Sequence, residues 1–299
     1  MKEIVLITGA NGLVAKRLAQ LLLPRFHIRF LSRHPKNGND FQWDVQKQTI
    51  DIKGLLGVDH IIHLAGADIS EKRWTKIRKE EILSSRVDSA GLLLKNLSEN
   101  NLRIKSFISA SAIGYYGSSD LDQKFDETSS KGNGFLADVV DQWEKAADPF
   151  LLERVAERVV KIRTGVILAK ERGVLPKMAL PVKYHVGSPL GTGQQNISWI
   201  HIEDICRIYQ FVLERSDLQG VFNAVSPFPV PNKDLTIEIA RKLRRPIFFP
   251  SIPKWVLKMV FGEMASVLLD NCKVTSQKIE KEGFQFKYPD IKEALDNLI

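Results

Sequence analysis

In IVLITGANGLVA, residues 4–15, Gly9, Gly12 and Ala15 stand at three-residue intervals, a spacing suited to holding a phosphate. Glycine at 9 permits a tight turn, glycine at 12 lets backbone approach a pyrophosphate, and a small residue at 15 lets a helix pack on a strand. The amides of Asn11, Leu13 and Val14 then lie at a helix N-terminus, where unpaired N–H groups and the helix dipole favour an anion. A tight connection without a ligand is the plain alternative. Roughly twenty residues on, Leu31-Ser32-Arg33-His34-Pro35 closes a second apolar run. A dinucleotide site that selects the ribose 2′-hydroxyl carries a carboxylate at this point. Ser32 and Arg33 instead offer a hydroxyl and a fork of donors suited to a 2′-phosphate. The pair predicts NADP(H).

A second stretch with chemistry is FISASAIGYYG, Phe107 to Gly117. It begins as a buried strand, passes through Ser109 and Ser111, and ends on Tyr115 and Tyr116. A serine there could polarise a substrate oxygen and a tyrosine could exchange a proton. An unperturbed phenol is only about one part in a thousand ionised at neutral pH, so as a base it needs a nearby cation; as an acid it can donate without one. The plainer alternatives are a strand-end serine satisfying backbone groups and tyrosine rings packing at a pocket mouth.

The elements that must position these residues follow from the apolar pattern. Strands are expected at EIVLITG, HIRFLSR, DHIIHLAG, KSFISAS and RVVKIRTGVIL, and helices at Leu13 to Leu23, Trp74 to Ser98, and Phe135 to about Glu157. Continuous Val/Ile/Leu runs imply strands covered on both faces, hence a doubly wound α/β fold with a parallel (Rossmann) sheet. After Leu168 the texture turns to glycine and proline. The expected division is a dinucleotide-binding domain over 1–168 and a smaller substrate lobe over 169–299, with about 203–226 returning to the sheet. In the lobe, GSPLGTGQQNISWIHIEDI offers Gln194, Gln195, Trp199, His201, Glu203 and Asp204 to a small polar substrate. Alternatively His201, Glu203 and Asp204 cap the next helix. Lys177 is a candidate for greeting an anionic substrate, and VSPFPVPN a candidate pocket wall.

Composition excludes several classes. The 299 residues carry a formal net charge of +8 and two cysteines, Cys206 and Cys272, far apart, as reduced thiols in the cytoplasm would be. His60 and His63 form H-x-x-H inside an apolar strand that sends them to opposite faces, so no metal site is expected. No apolar run is long enough to span a membrane and no charged leader precedes the first strand, so no membrane partner is expected. KRWTKIRK and RKLRR read as solvated helix faces, and no nucleic-acid partner is expected.

TGANGLVA, HLAGADI, the RW of EKRW, SAIGYYG, RTGVIL, SWIHIEDI, VSPFPVPN and FQFKYPD, taken in order along nearly the whole chain, resemble the atypical short-chain dehydrogenase/reductases of the NAD-dependent epimerase/dehydratase superfamily. More narrowly they are similar to the YfcH-like proteins, some labelled cell division inhibitors. The resemblance implies that Leu64, Ala65, Gly66 and Ala67 border the nicotinamide, that Asp44 and Val45 lie near the adenine, and that Ser109, Arg163 and Gly165 edge the site. It also implies a catalytic serine at Ser111. The superfamily's Y-x-x-x-K falls on Phe135-Leu136-Ala137-Asp138-Val139, where both the tyrosine and the lysine are replaced. Phenylalanine has no proton to exchange and valine supplies no charge. Tyr115 or Tyr116, or else Asp138, Asp141 or Glu144 on the same helix, are the replacements available. The expected activity is an NADP(H)-dependent, epimerase/dehydratase-like oxidoreductase acting on a small polar or sugar-derived carbonyl or hydroxyl. The alternative is a catalytically silent, cofactor-gated binding protein.

Overall fold

The computed structural model describes residues 2–119 and 123–299. Eight strands make the main sheet: β1 (Ile4–Thr8), β2 (His27–Ser32), β3 (Asp40–Asp44), β4 (Thr49–Ile50), β5 (His60–His63), β6 (Ile104–Ala112), β7 (Ala156–Thr164) and β8 (Gly220–Ala224). Their spatial order is β8-β7-β6-β5-β1-β2-β3-β4, parallel throughout except for β4, which runs antiparallel to β3. The chain therefore builds outward from β1 to β3, then crosses back and builds the other way from β5. The reversal lies between β1 and β5, and the crevice outside their carboxyl ends is where such sheets bind ligands.

Alternation along β1 shows how the layers form. Val5 and Ile7 share a core with Leu18 and Leu22 of α1 (Leu13–Leu22) and Ile205 and Val212 of α5 (Ile202–Glu214). Leu6 faces the opposite core, with Leu93 and Leu97 of α2 (Lys76–Glu99) and Ala147 and Phe150 of α3 (Phe135–Leu152). Each such fully buried aliphatic side chain contributes about 1.5–3 kcal/mol, so both faces of the sheet are strongly specified. Helix α5 packs on α1 and β8 pairs with β7, so these later segments complete the main sheet.

Two features depart from the sequence pattern. DFQWD forms β3, next to the edge strand β4, and its apolar Phe41 and Trp43 alternate with polar residues, too short a pattern to stand out. RVVKIRTGVIL is two strands, broken at Gly165. There, an added Cβ would stand 2.5 Å from the Ser198 carbonyl oxygen, and Val166–Leu168 pairs instead with Trp199–His201.

The remaining chain is mostly helical, and its buried Leu175, Leu235, Ile239 and Leu295 continue the core that covers Val5 and Ile7. It holds α4 (Val174–Lys183), α6 (Asn232–Leu243), α7 (Lys254–Phe261) and α8 (Ser266–Leu269), with the terminal helix Ile291–Leu298 packed against α6.

Candidate active site at the strand-order reversal

The glycine turn sits directly at the reversal. Gly9 adopts φ +73°, a conformation that strains any residue with a side chain, and an added Cβ would meet the Leu64 carbonyl oxygen at 2.9 Å. Gly12 donates its N–H to the Gly9 carbonyl at 2.7 Å and becomes the N-cap of α1. That cap has no side-chain hydrogen bond, and the first turn of α1 carries no acidic residue. The positive end of the helix is left to an anion, with the amides of Leu13 and Val14 leading it. The shape and donors fit a pyrophosphate. Asn11 is exposed in the turn, and Arg172 reaches its carbonyl at 3.4 Å.

At the end of β2, Ser32 is buried and its hydroxyl oxygen accepts the His34 amide at 3.1 Å, which leaves its O–H free to donate. Arg33 beside it is exposed. Asp44 accepts the amides of Gln46 and Lys47 at 3.0 and 3.1 Å, so part of its carboxylate closes the β3–β4 turn.

The loop Leu64–Ala67 after β5 is fixed from below. Thr8 Oγ1 accepts the amides of Leu64 and Ala65, both at 3.0 Å, and lies 3.0 Å from His63 Nδ1. With both lone pairs taken, the Thr8 hydroxyl donates to Nδ1. His63 is therefore the Nε2–H tautomer, donating to Ser89 Oγ at 3.1 Å, and Ser89 donates onward to the Ser85 carbonyl at 2.7 Å. Ser85 Oγ accepts the Ala67 amide, and Arg86 donates to the Ala67 carbonyl. Partial burial pulls the Arg86 guanidinium down to about 10, still charged at neutral pH. His60 faces the other way, toward Ser106, Glu3 and Phe26.

The orientation of Thr8 leaves no acceptor for a second ring proton, and complete burial holds His63 down from the ordinary 6.5 to about 4. Below 6.5 the unfolded chain takes up a proton that the folded chain refuses until about 4, so this contribution to stability is lost as pH falls through that window. Between pH 7 and pH 5 the loss amounts to about 2 kcal/mol. In urea titrations at the two pH values, His63→Gln should show a correspondingly smaller loss than wild type. Identical losses would contradict the assignment.

Ser111, Arg163 and Asn223 stand in register on β6, β7 and β8, forming one buried polar row across three strands. Glu144 of α3 accepts from Ser111 Oγ at 2.6 Å and bidentately from Arg163, Nε at 2.7 Å and Nη2 at 2.8 Å. Arg163 Nη1 donates to Tyr116 Oη at 3.0 Å, and Tyr116 donates to Asn223 Oδ1 at 2.7 Å. Burial draws the Arg163 pKa down, but pairing with Glu144 outweighs it and holds the guanidinium above its ordinary range. Burial pushes the Tyr116 phenol up to about 12, against the lowering influence of Arg163. Tyr116, 1% exposed, is thus a committed neutral donor inside this row. Tyr115 is half-buried, its ring face 3.5 Å from the Arg163 guanidinium carbon.

Glu144, one of three carboxylates open to the sequence reading, is the one that joins Ser111. Asp138 pairs with Lys131 and Asp141 with Lys145 at the surface. The pairing of Glu144 with Arg163 escaped that reading, although a charged arginine inside an otherwise apolar strand signals a buried partner. Ser109, also buried, donates to the Ala110 carbonyl at 3.0 Å. Gly165 lies at the strand break against Ser198. Phe135 opens α3 with Trp74 against its ring at 5.0 Å and the Lys79 ammonium 5.1 Å from its centroid.

In the lobe, Lys177 donates to Ser70, just beyond the Leu64–Ala67 loop. Gln195 is buried, donating to the Leu190 and Leu268 carbonyls, and Trp199 is wholly buried, donating to the Phe228 carbonyl. Gln194 is exposed. His201 caps α5 by accepting the Glu203 amide, Glu203 pairs with Arg17 and Lys287, and Asp204 accepts the amides of Lys287 and Tyr288, both at 2.8 Å. This trio fastens the FQFKYPD segment to α5.

Comparison with known proteins gives a consistent picture. Residues 5–134 match the model of the NAD dependent epimerase/dehydratase family, and residues 252–298 match a domain of unknown function, DUF1731. An epimerase family protein of Staphylococcus aureus (strain NCTC 8325 / PS 47) is 36% identical over 303 residues, covering 98% of each chain. One from Mycobacterium leprae (strain TN) is 33% identical over 297 residues, covering 98% of this chain and 95% of its own. Among solved structures, human epimerase family protein SDR39U1 (isoform 2) with NADPH is similar at a TM-score of 0.88 and 31% identity, over 99% of this chain and 98% of that one.

Proposed function

The chain belongs to the NAD dependent epimerase/dehydratase family, and on that premise we propose that it is an NADP(H)-binding oxidoreductase acting on a small polar carbonyl or hydroxyl substrate. The observation that carries the reading is the uncapped N-terminus of α1 behind the Gly9 turn, with Ser32 and Arg33 at the neighbouring strand end. The NADPH in the structure of the human relative supports the choice of cofactor. When bound, the nicotinamide supplies or accepts hydride.

In this reading the chain's own groups divide the remaining work. Leading amides of α1 hold the pyrophosphate, and Arg33 with the free Ser32 O–H holds the 2′-phosphate. The loop Leu64–Ala67, fixed by Thr8, Ser85 and Arg86, would border the nicotinamide. Tyr115 is our choice for proton donor to a developing alkoxide, because its hydroxyl is not part of the buried row and its half-buried ring sits at the end of the Ser111 strand. Ser111 spends its proton on Glu144 and offers an incoming group only acceptor lone pairs.

That last point favours the second reading, a cofactor-gated binding protein without turnover, since the Y-x-x-x-K positions are also Phe135 and Val139. Stopped-flow NADPH oxidation across a library of carbonyl compounds separates the two. The cofactor assignment is tested by tryptophan fluorescence titration. Losing the Arg33 contact should cost about 1.5–3 kcal/mol, a loss of roughly tenfold to a hundredfold in NADPH affinity for Arg33→Ala. NADH affinity should stay within about twofold. Parallel losses for both coenzymes would remove Arg33 from selection.

A further inference from the structure

The lobe carries a second surface feature that the dinucleotide site does not use. No acidic residue occurs between Glu171 and Glu203, nor between Glu238 and Glu263. The fold brings these two stretches together: His185 lies 3.3 Å from Arg245, Ser188 donates to the Pro250 carbonyl, and Leu190 bridges to Ile252. The joined edge exposes large apolar side chains, with Tyr184 67%, Phe248 72%, Phe249 53%, Trp255 67% and Met259 66% accessible. Lys183, Arg244, Arg245, Lys254 and Lys258, all exposed, stand among them.

Helix α7 shows the design in miniature. Leu257 is buried against the lobe, whereas Trp255 and Met259, four apart, make one exposed stripe and Lys254 and Lys258 make the adjacent one. Exposing a tryptophan, two phenylalanines and a methionine on one edge is costly in water unless something covers them. Aromatic rings among lysines and arginines, without a carboxylate in either stretch, match one chemistry in particular: a layer whose outer surface is anionic and whose interior is apolar. Protein interfaces are also rich in aromatic residues but are depleted in lysine, and the exposed Lys183, Lys254 and Lys258 beside these rings favour lipid phosphates over an acidic protein partner. The sequence reading of RKLRR as a solvated face took account of the cations alone.

We propose that this edge docks the protein peripherally on an anionic lipid bilayer, with Trp255, Phe248 and Phe249 entering the headgroup region and the flanking cations pairing with lipid phosphates. Among the described residues no helix is long and apolar enough to cross a membrane. The inference does not rest on the proposed activity.

The test is flotation of the full chain with vesicles of phosphatidylcholine, with and without about 30% phosphatidylglycerol, at low and high salt. Wild type should float with the anionic vesicles and be released by salt. Trp255→Ser with Phe248→Ser, and separately Lys254→Glu with Lys258→Glu, should each weaken vesicle affinity at least tenfold while NADPH affinity is unchanged. Lys95→Glu with Lys145→Glu alters charge equally on helices α2 and α3, away from the edge, and should bind vesicles nearly as wild type does. Wild type remaining with the unbound fraction overturns the proposal. So does binding that falls equally for both charge reversals, which would reflect overall charge, or self-association through the edge without vesicle binding, seen by sedimentation velocity.

Discussion

Gly9→Ala is expected to weaken NADPH binding at least a hundredfold in a protein that still folds. The φ of +73° alone costs an alanine on the order of 1–2 kcal/mol. The larger effect is local. Its Cβ would press on the Leu64 carbonyl oxygen at 2.9 Å, the Leu64 carbonyl carbon at 3.1 Å and the Ala65 nitrogen at 3.2 Å, all backbone atoms of the loop that Thr8 pins through two amides. Neither side can rotate away as a flexible side chain would. The turn must therefore shift, and the amides at the head of α1 move from where a pyrophosphate needs them. A folding stability of 5–15 kcal/mol, ordinary for a domain, absorbs the strain. Calorimetry should show the binding loss, and circular dichroism a cooperative melt lowered by several degrees. NADPH affinity within threefold of wild type would place the cofactor elsewhere.

Glu144→Ala is expected to destabilise the fold by about 3–5 kcal/mol, because it strands a charge. The variant leaves the Arg163 guanidinium, 3% exposed, with the Tyr116 hydroxyl alone, and leaves the Ser111 hydroxyl without its acceptor. Adding Arg163→Met to Glu144→Leu removes the charge with its partner, and this double variant should recover more than half of the loss. Urea denaturation of the single and double variants measures both values. A single variant that loses less than about 1 kcal/mol would mean that the row is not the buried, fully paired network described. Loss of stability in Glu144 variants also bears on interpretation, since reduced turnover there would report packing before chemistry.

What the sequence discloses of this molecule follows from how local each constraint is. The turn at Gly9 is legible because a positive φ against a neighbouring loop excludes every side chain, so the requirement is written in the residue itself. The double winding is legible because strands buried on both faces are apolar at consecutive positions, as in IVLI of β1. The row of Ser111, Arg163 and Asn223 is not, because register between β6, β7 and β8 arises only when distant segments pair. Tyr115 and Tyr116 illustrate the same limit. They are neighbours of one residue type, yet the short helical turn Ile113–Tyr116 buries one hydroxyl against Asn223 and leaves the other ring half-buried beneath Arg163. The glycine- and proline-rich stretch after Leu168 is least legible. Gln195 and Trp199 look like pocket residues on paper, and His201, Glu203 and Asp204 read either as pocket or as helix cap; the fold spends all five on holding loops, the head of α5 and the FQFKYPD segment.

The central claim is that the uncapped head of α1, with Arg33 beside it, receives NADP(H). Isothermal titration calorimetry of the purified full chain with NADPH and with NADH tests it most directly. The account predicts a single site per chain for NADPH, with NADH weaker by tenfold or more. Folded protein that gives no heat with either coenzyme would contradict it.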